Sequence, residues 1–183
     1  MDALDNILKR VSSRELSLPH PNAEEMVIAY KAALRAPDHA WLRPSSFIEV
    51  KGSGLTKLSK IFEDFALSIP DIEEARVKKY KEAPFRAPLI IILVNTFTEH
   101  PKVPAIEQKL STAAAAQNIM LSLSAQGYGA MWRTGKLAFN KTISKSLGLN
   151  DNQEVLGFLY VGTNTGKNKK IPDLDINNFV SKL

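Results

Sequence analysis

The side chains in this sequence that could carry chemistry are mostly cationic, while the usual nucleophiles and metal ligands are absent or scattered. There is no cysteine, which excludes thiolate catalysis, a disulfide framework and a cysteine zinc site. The three histidines, His20, His39 and His100, lack metal-ligand spacing, and no acidic neighbour along the chain completes a site with any of them. No G-x-S-x-G elbow exists for a serine hydrolase, and no G-x-G-x-x-G follows a strand pattern. The run from Gly162 to Lys167, G-T-N-T-G-K, resembles an NTPase phosphate loop but is one residue short. No Ser or Thr follows Lys167 and Pro172 opposes a following helix, so this run reads as a surface loop. Gly127-Tyr128-Gly129-Ala130 reads as turn chemistry after a helix. What remains is arginines beside turn residues, which suits a phosphate-bearing cofactor, because the planar guanidinium fork matches phosphate oxygens.

The bulk properties narrow the setting. At 183 residues the chain has the size of one domain, and we read residues 1–183 as a single unit. Hydrophobic residues make up 44% and charged residues 23%, which fits a globular protein and not a disordered one. The net charge of +5 favours anionic ligands. The basic residues form no dense block: Lys78, Lys79 and Lys81 alternate with Glu73, Glu74 and Glu82, so they read as solvated faces and not as a nucleic-acid footprint. The start, Asp2-Ala3-Leu4-Asp5, is acidic where an export signal would be basic. The longest apolar stretch, Ala105 to Gly127, is broken by Glu107, Lys109, Gln117 and Asn118 and is no membrane span. The expectation is a soluble, cytoplasmic protein without a membrane or nucleic-acid partner.

The elements that must position the arginines follow from periodicity. Leu4, Ile7, Leu8 and Val11 form one helical stripe. A second helix starts after Pro21, with Asn22 as N-cap and Glu24 and Glu25 in the first turn, and ends before Pro37. Phe47 to Val50 is a short strand closed by a Gly52-Ser53-Gly54 turn. Helical segments over 55–67 and 71–81 follow, split by Pro70. Leu89 to Val94 is apolar on both faces, as in a strand buried mid-sheet. A long helix over 104–126 presents Ile106, Leu110, Ala113, Ala114, Ala116, Met120, Leu121 and Leu123, with Gly127 as C′ cap; it serves both the core and a subunit contact. A last buried strand spans 155–163, and Asn178-Phe179-Val180 is a candidate edge strand. Helices and strands are interspersed without regular βαβ alternation, which predicts an α+β layer fold.

Several runs in order resemble the nitroreductase family. Arg10-Val11-Ser12-Ser13-Arg14 resembles its R-x-S-x-R signature. Arg35-Ala36-Pro37-Asp38-His39, Pro84-Phe85-Arg86-Ala87-Pro88, Lys102-Val103-Pro104 with Glu107-Gln108, Trp132-Arg133-Thr134-Gly135 and Leu156 to Thr163 are similar to its small, single-domain, YdjA-like branch of NAD(P)H nitroreductases. The resemblance implies a mixed sheet flanked by helices and a domain-swapped homodimer with two FMN molecules at the interface. It implies that Arg10, Ser12 and Arg14 bind FMN, the first two at the phosphate and ribityl chain. Trp132, Arg133 and Thr134 would complete that side, and Arg35 and His39 would reach the flavin from the partner subunit. It further implies that NADH or NADPH donates hydride, and that Ser122, Leu123, Ser124, Ala125, Gln126 and Gly127 approach the nicotinamide nucleotide. No side chain is assigned as catalytic, since the flavin carries the chemistry.

The implied activity is ping-pong reduction of nitroaromatic, quinone-like or related acceptors. The chain departs from the wider family pattern A-P-S-x-x-N-x-Q-P-W: here stand Asp38, Trp41, Arg43, Pro44 and Ser45, and the common asparagine, glutamine and tryptophan are missing. Trp41 motivates an alternative, a flavin-binding sensor or accessory protein with little turnover.

Overall fold

The computed structural model describes residues 2–167 and 169–183. Asp2 caps the first helix, α1 (Ala3–Lys9), accepting from the backbone N–H groups of Leu4 and Asp5. The apolar stripe of α1 is turned outward: Leu4, Ile7 and Leu8 are 54–70% exposed, whereas Asn6 faces inward and donates from Nδ2 to the Leu121 carbonyl at 2.8 Å. After a two-residue strand, β1 (Leu16–Ser17), comes α2 (Ala23–Ala33). Asn22 opens it with a full capping box, bonded reciprocally to Glu25, which satisfies two otherwise orphaned N–H groups.

A five-stranded sheet forms the middle layer. β2 (Ser45–Lys51), β3 (Leu89–Thr96) and β5 (Gln153–Asn164) run antiparallel in the order β2-β3-β5, and β4 (Gly129–Arg133) pairs antiparallel with β5. β1 pairs with the end of β5 through Leu16–Asn164 and Ser17–Thr163. A parallel bridge between Ser12 and Ala130 adds the mixed character. Residues 89–94 of β3 are buried on both faces, as their sequence predicts. One face packs on α2 and α5 (Ala105–Ala125) through Met26, Ala29, Ile91, Ala116 and Ile119. The other packs on α3 (Ser53–Leu67) and α6 (Lys141–Ser146) through Leu58, Phe62, Ile92, Ile143 and Phe158. Between these lie α4 (Glu74–Lys81) and a 3₁₀ turn at Ala83–Arg86.

Four expectations change. Gly129-Ala130 is the start of β4, not a turn, and the run from Gly162 begins inside β5, so the loop there starts after Asn164. Asn178-Phe179-Val180 forms no strand: a 3₁₀ turn spans Ile176–Asn178, and Asp175 accepts from the Asn177 N–H. In the first half of α5 the inward residues are polar Gln108, Ser111 and Thr112, while Ile106 and Leu110 are exposed. Two of these polar groups are paired: Gln108 exchanges two hydrogen bonds with the Thr98 backbone, and Thr112 Oγ1 donates to Asn95 Oδ1 at 3.0 Å. Buried polar side chains are tolerated only when so paired. No helix among the described residues is long and apolar enough to cross a membrane.

Candidate functional site

β4 organises one half of the site. Ser13 is buried and its N–H donates to the Ala130 carbonyl at 3.0 Å, laying the segment after α1 alongside the strand. Gly129 permits this approach, because a Cβ there would press against Ser13 and Leu16. Arg10 and Ser13 thereby line a cavity of about 200 Å³ at the start of β4 together with Ser124 and Gly127, while Ser12 bridges Ala130 without lining it. At the other end of β4, Arg133 and Thr134 line a second cavity of about 210 Å³ with Tyr80, Arg86 and Tyr160. Trp132 between them is half-buried against the core and donates from Nε1 to the Leu156 carbonyl at 3.3 Å. It fits there because Gly157 has no side chain: a Cβ on Gly157 would collide with the Trp132 indole nitrogen.

The electrostatics of this half are one-sided. The guanidinium of Arg133 stacks over the Tyr160 ring, 5.2 Å from its centroid. Burial, and then the charges of Arg86 and Arg14, hold Arg133 below the usual arginine range. Burial pushes the Tyr160 hydroxyl up, against the pull of Arg86 and Arg133. Arg10 Nη1 and Arg133 Nε are both buried without a hydrogen-bond partner. A buried N–H of a charged group costs substantially when unpaired, so these two donors fit a ligand rich in acceptor oxygens. That is the donor set a phosphorylated flavin needs.

Arg35 and His39 lie elsewhere. α2 runs antiparallel to α5, with Glu25 bonded to Gln126 and Tyr128 and the Ala32 carbonyl bonded to Asn118. Arg35 and His39 follow α2 toward the start of α5, where His39 Nδ1 lies 2.6 Å from Glu107 Oε2. The expectation that no histidine has an acidic partner is corrected here: the fold supplies one from 68 residues along the chain. The Arg10 group sits beside Met120 and Ser124. At 1.5 Å per residue, Glu107 and Ser124 are about 25 Å apart along α5. One chain therefore does not bring its His39 to its own Arg10.

The loop carrying His39 has a distinct shape. Ala40, Trp41 and Arg43 have φ of 53–58°, a region non-glycine residues rarely occupy. Asp38 holds the loop by accepting from the Leu42 and Arg43 N–H groups at 3.0 and 2.9 Å. Trp41 is 77% exposed, with the Arg43 guanidinium 5.3 Å from its ring centroid. Ser45 is inside β2 and bonds Thr112.

Of residues 122–127, Leu123 is fully buried and its side chain belongs to the core. Gln126 donates to Ser122 and to the Glu25 carbonyl. Ala125 is exposed, and Gly127 follows the helix at φ 88°. The residue that the motifs left without a role is Arg86, which shares the cavity of Arg133. Its signal was the local run Pro84 to Pro88, but only the packing of the 3₁₀ turn against the sheet brings it there.

The nitroreductase family model matches residues 7–163. YdjA of Escherichia coli (strain K12), which bears the name of an NAD(P)H nitroreductase, is 36% identical over 163 residues, covering 89% of this chain and 88% of that protein. A protein of Haemophilus influenzae (strain ATCC 51907 / DSM 11121 / KW20 / Rd) with the same kind of name is 31% identical, with full coverage of both chains. Among solved structures, a nitroreductase-like family protein from Bacillus cereus superposes with a TM-score of 0.87 at 21% identity, over 100% of this chain and 96% of that one. The FMN and NADPH-dependent nitroreductase NfnB from sphigopyxis sp. strain HMH superposes at 0.77 with 15% identity, over 100% and 99%. These superpositions bear on the fold.

Proposed function

This chain belongs to the nitroreductase family, and from that membership we propose that it is an FMN-dependent NAD(P)H oxidoreductase. Its acceptors are nitroaromatic, quinone-like or related compounds, and it works as a homodimer with each flavin held between two subunits. Residues 1–183 act as one FMN-binding domain. The observation that carries this reading is the pair of buried guanidinium donors without partners, Arg10 Nη1 and Arg133 Nε, at the two ends of β4.

When bound, FMN supplies hydride acceptance from a nicotinamide and onward electron transfer. The chain's own work is to bind and orient. Arg10 and Ser12 hold the phosphate and ribityl chain with charge-assisted bonds. Trp132, Arg133 and Thr134 flank the ring from β4, and Arg14 adds positive charge beside Arg133. Fixed positive charge stabilises negative charge as it develops in a site closed to water, by the logic of an oxyanion hole. Arg35 and His39 complete the site of the other subunit. The separation of about 25 Å along α5 and the outward apolar stripe of α1 both support that assignment. The approach of the nicotinamide nucleotide to residues 122–127 draws no support from local charge, because a helix C-terminus carries partial negative charge.

An absorption spectrum of the purified protein tests the reading, with the chromophore identified after denaturation. FMN at about one per subunit is expected; a colourless protein that takes up no added FMN would end it. Parallel double-reciprocal lines are expected for the two substrates, and intersecting lines contradict the ping-pong order. The exposed Trp41 favours a second reading, a flavin protein with little turnover in which the bulky indole obstructs the acceptor. Anaerobic bleaching by NAD(P)H, with recovery on adding a quinone, eliminates that reading.

A further inference from the structure

The cavity beyond Arg133 is more basic than the signature residues require. Lys79, Arg86, Arg133 and Lys136 line it, and no Asp or Glu is among its lining residues. Its remaining walls are aromatic and aliphatic: Tyr80, Phe158, Tyr160 and Leu137. A small hydrated phosphate needs no such walls, whereas a flat apolar ring with a polar edge does. The position agrees. Arg133, read above as a flavin-binding residue, lines this cavity together with Arg86.

We propose that Arg86 is a flavin-binding residue, set with Arg133 at the pyrimidine edge of the ring, where it raises the reduction potential of the bound flavin. This rests on the flavin reading above. Arg86 ends a 3₁₀ turn anchored by buried Ala83 and Pro84 and followed by buried Ala87, so its backbone is fixed although its side chain is free to meet a ligand. Hydride transfer from a reduced nicotinamide brings one proton and two electrons to the ring and leaves the nicotinamide oxidised. The ring thereby gains one negative charge. A cation at the edge that receives this charge binds the reduced flavin more tightly than the oxidised one, which is a rise in potential. The charges of Arg86 and Arg14 already oppose that of Arg133 across this space, so an anionic ring relieves a repulsion that a neutral ring leaves in place.

The test is a redox titration of the FMN-loaded protein, wild type against Arg86→Gln and Arg86→Lys, with the dissociation constant of oxidised FMN measured alongside. In Arg86→Gln the preference for reduced over oxidised FMN falls about tenfold, lowering the two-electron potential by ~30 mV. Affinity for oxidised FMN changes much less, and Arg86→Lys keeps most of the potential. An unchanged potential in Arg86→Gln overturns the proposal. So does a loss of oxidised-FMN affinity without a potential shift, which would put Arg86 at the phosphate. An equal shift in Arg86→Lys also overturns it, since charge would then not be the cause. A wild-type protein that binds no FMN fails the flavin reading itself, an outcome visible before any variant is made.

Discussion

At the scale of single residues, charge without counter-charge is what distinguishes this protein. Arg10 and Arg133 each bury a guanidinium N–H with no protein acceptor, a cost that in the proposed site a bound phosphate and ring oxygens would offset. Charge-assisted bonds contribute about 1.5–3 kcal/mol each. Arg10→Ala and Arg133→Ala are therefore each expected to raise the dissociation constant of FMN about 10- to 100-fold, measured by quenching of flavin fluorescence on titration. Unchanged affinity in either variant removes that residue from the site. A second prediction concerns pH. Burial, then the hydrogen bond to Glu49, pushes the Tyr30 hydroxyl far above its ordinary value, and burial pushes Tyr160 up as well. Both hold their protons more tightly folded than unfolded. Their contribution to stability is complete below the ordinary tyrosine pKa of about 10 and is lost as pH rises through the folded values. Alkaline titration at 295 nm should show these two ionising late, together with unfolding. The motifs made Arg10, Ser12 and Arg133 legible in the sequence, since guanidinium and hydroxyl chemistry is carried by residue type. Arg86 and the His39–Glu107 pair were not, because their meaning depends on neighbours brought from distant segments.

Elements were legible where one local force dominates. Asn22 caps α2 as expected, with Glu25 adding a reciprocal bond, and β3 is buried as its apolar run requires. Asn22→Ala should cost about 1 kcal/mol and lower the melting temperature by about 2–4 °C, without altering FMN affinity. β4 escaped the sequence reading because Gly129-Ala130 looks like a turn. It becomes a strand only because β5 offers it a free edge and Ser13 bonds it from the other side. The same dependence gives a sharper test. Gly157→Ala would drive a methyl group into the Trp132 indole. It should destabilise by several kcal/mol, as buried overpacking does, and also loosen FMN by displacing β4. If the flavin affinity survived intact, Trp132 would be core packing and no part of the site. The register of α5 was misjudged in its first half, where Gln108 and Thr112 turn inward to bond Thr98 and Asn95. Hydrophobic periodicity has no means of signalling a satisfied polar pair.

At the scale of the whole molecule, much apolar surface is left uncovered in a single chain. Leu4, Ile7 and Leu8 on α1 face outward, as do Val27, Ile28 and Leu34 around α2 and Ile106 and Leu110 on α5. In the tail, Ile171, Leu174, Ile176, Phe179 and Val180 are 46–70% exposed. Exposed apolar area on this scale marks an interface. Light scattering should report a dimer, and truncation after Lys170 should weaken both dimerisation and FMN retention; a truncated chain that stays dimeric and yellow would release the tail from that role. The sequence by itself determined the α+β class and the family, and supplied the residue types of the proposed phosphate and flavin site, because each rests on local periodicity or on the chemistry of a short run. Only the tertiary structure decided that Arg86 joins Arg133, that Glu107 holds His39, and that His39 stands at the far end of α5 from Arg10. Those relations arise from sheet register and helix packing, which couple residues tens of positions apart and leave no trace in the spacing of any one segment.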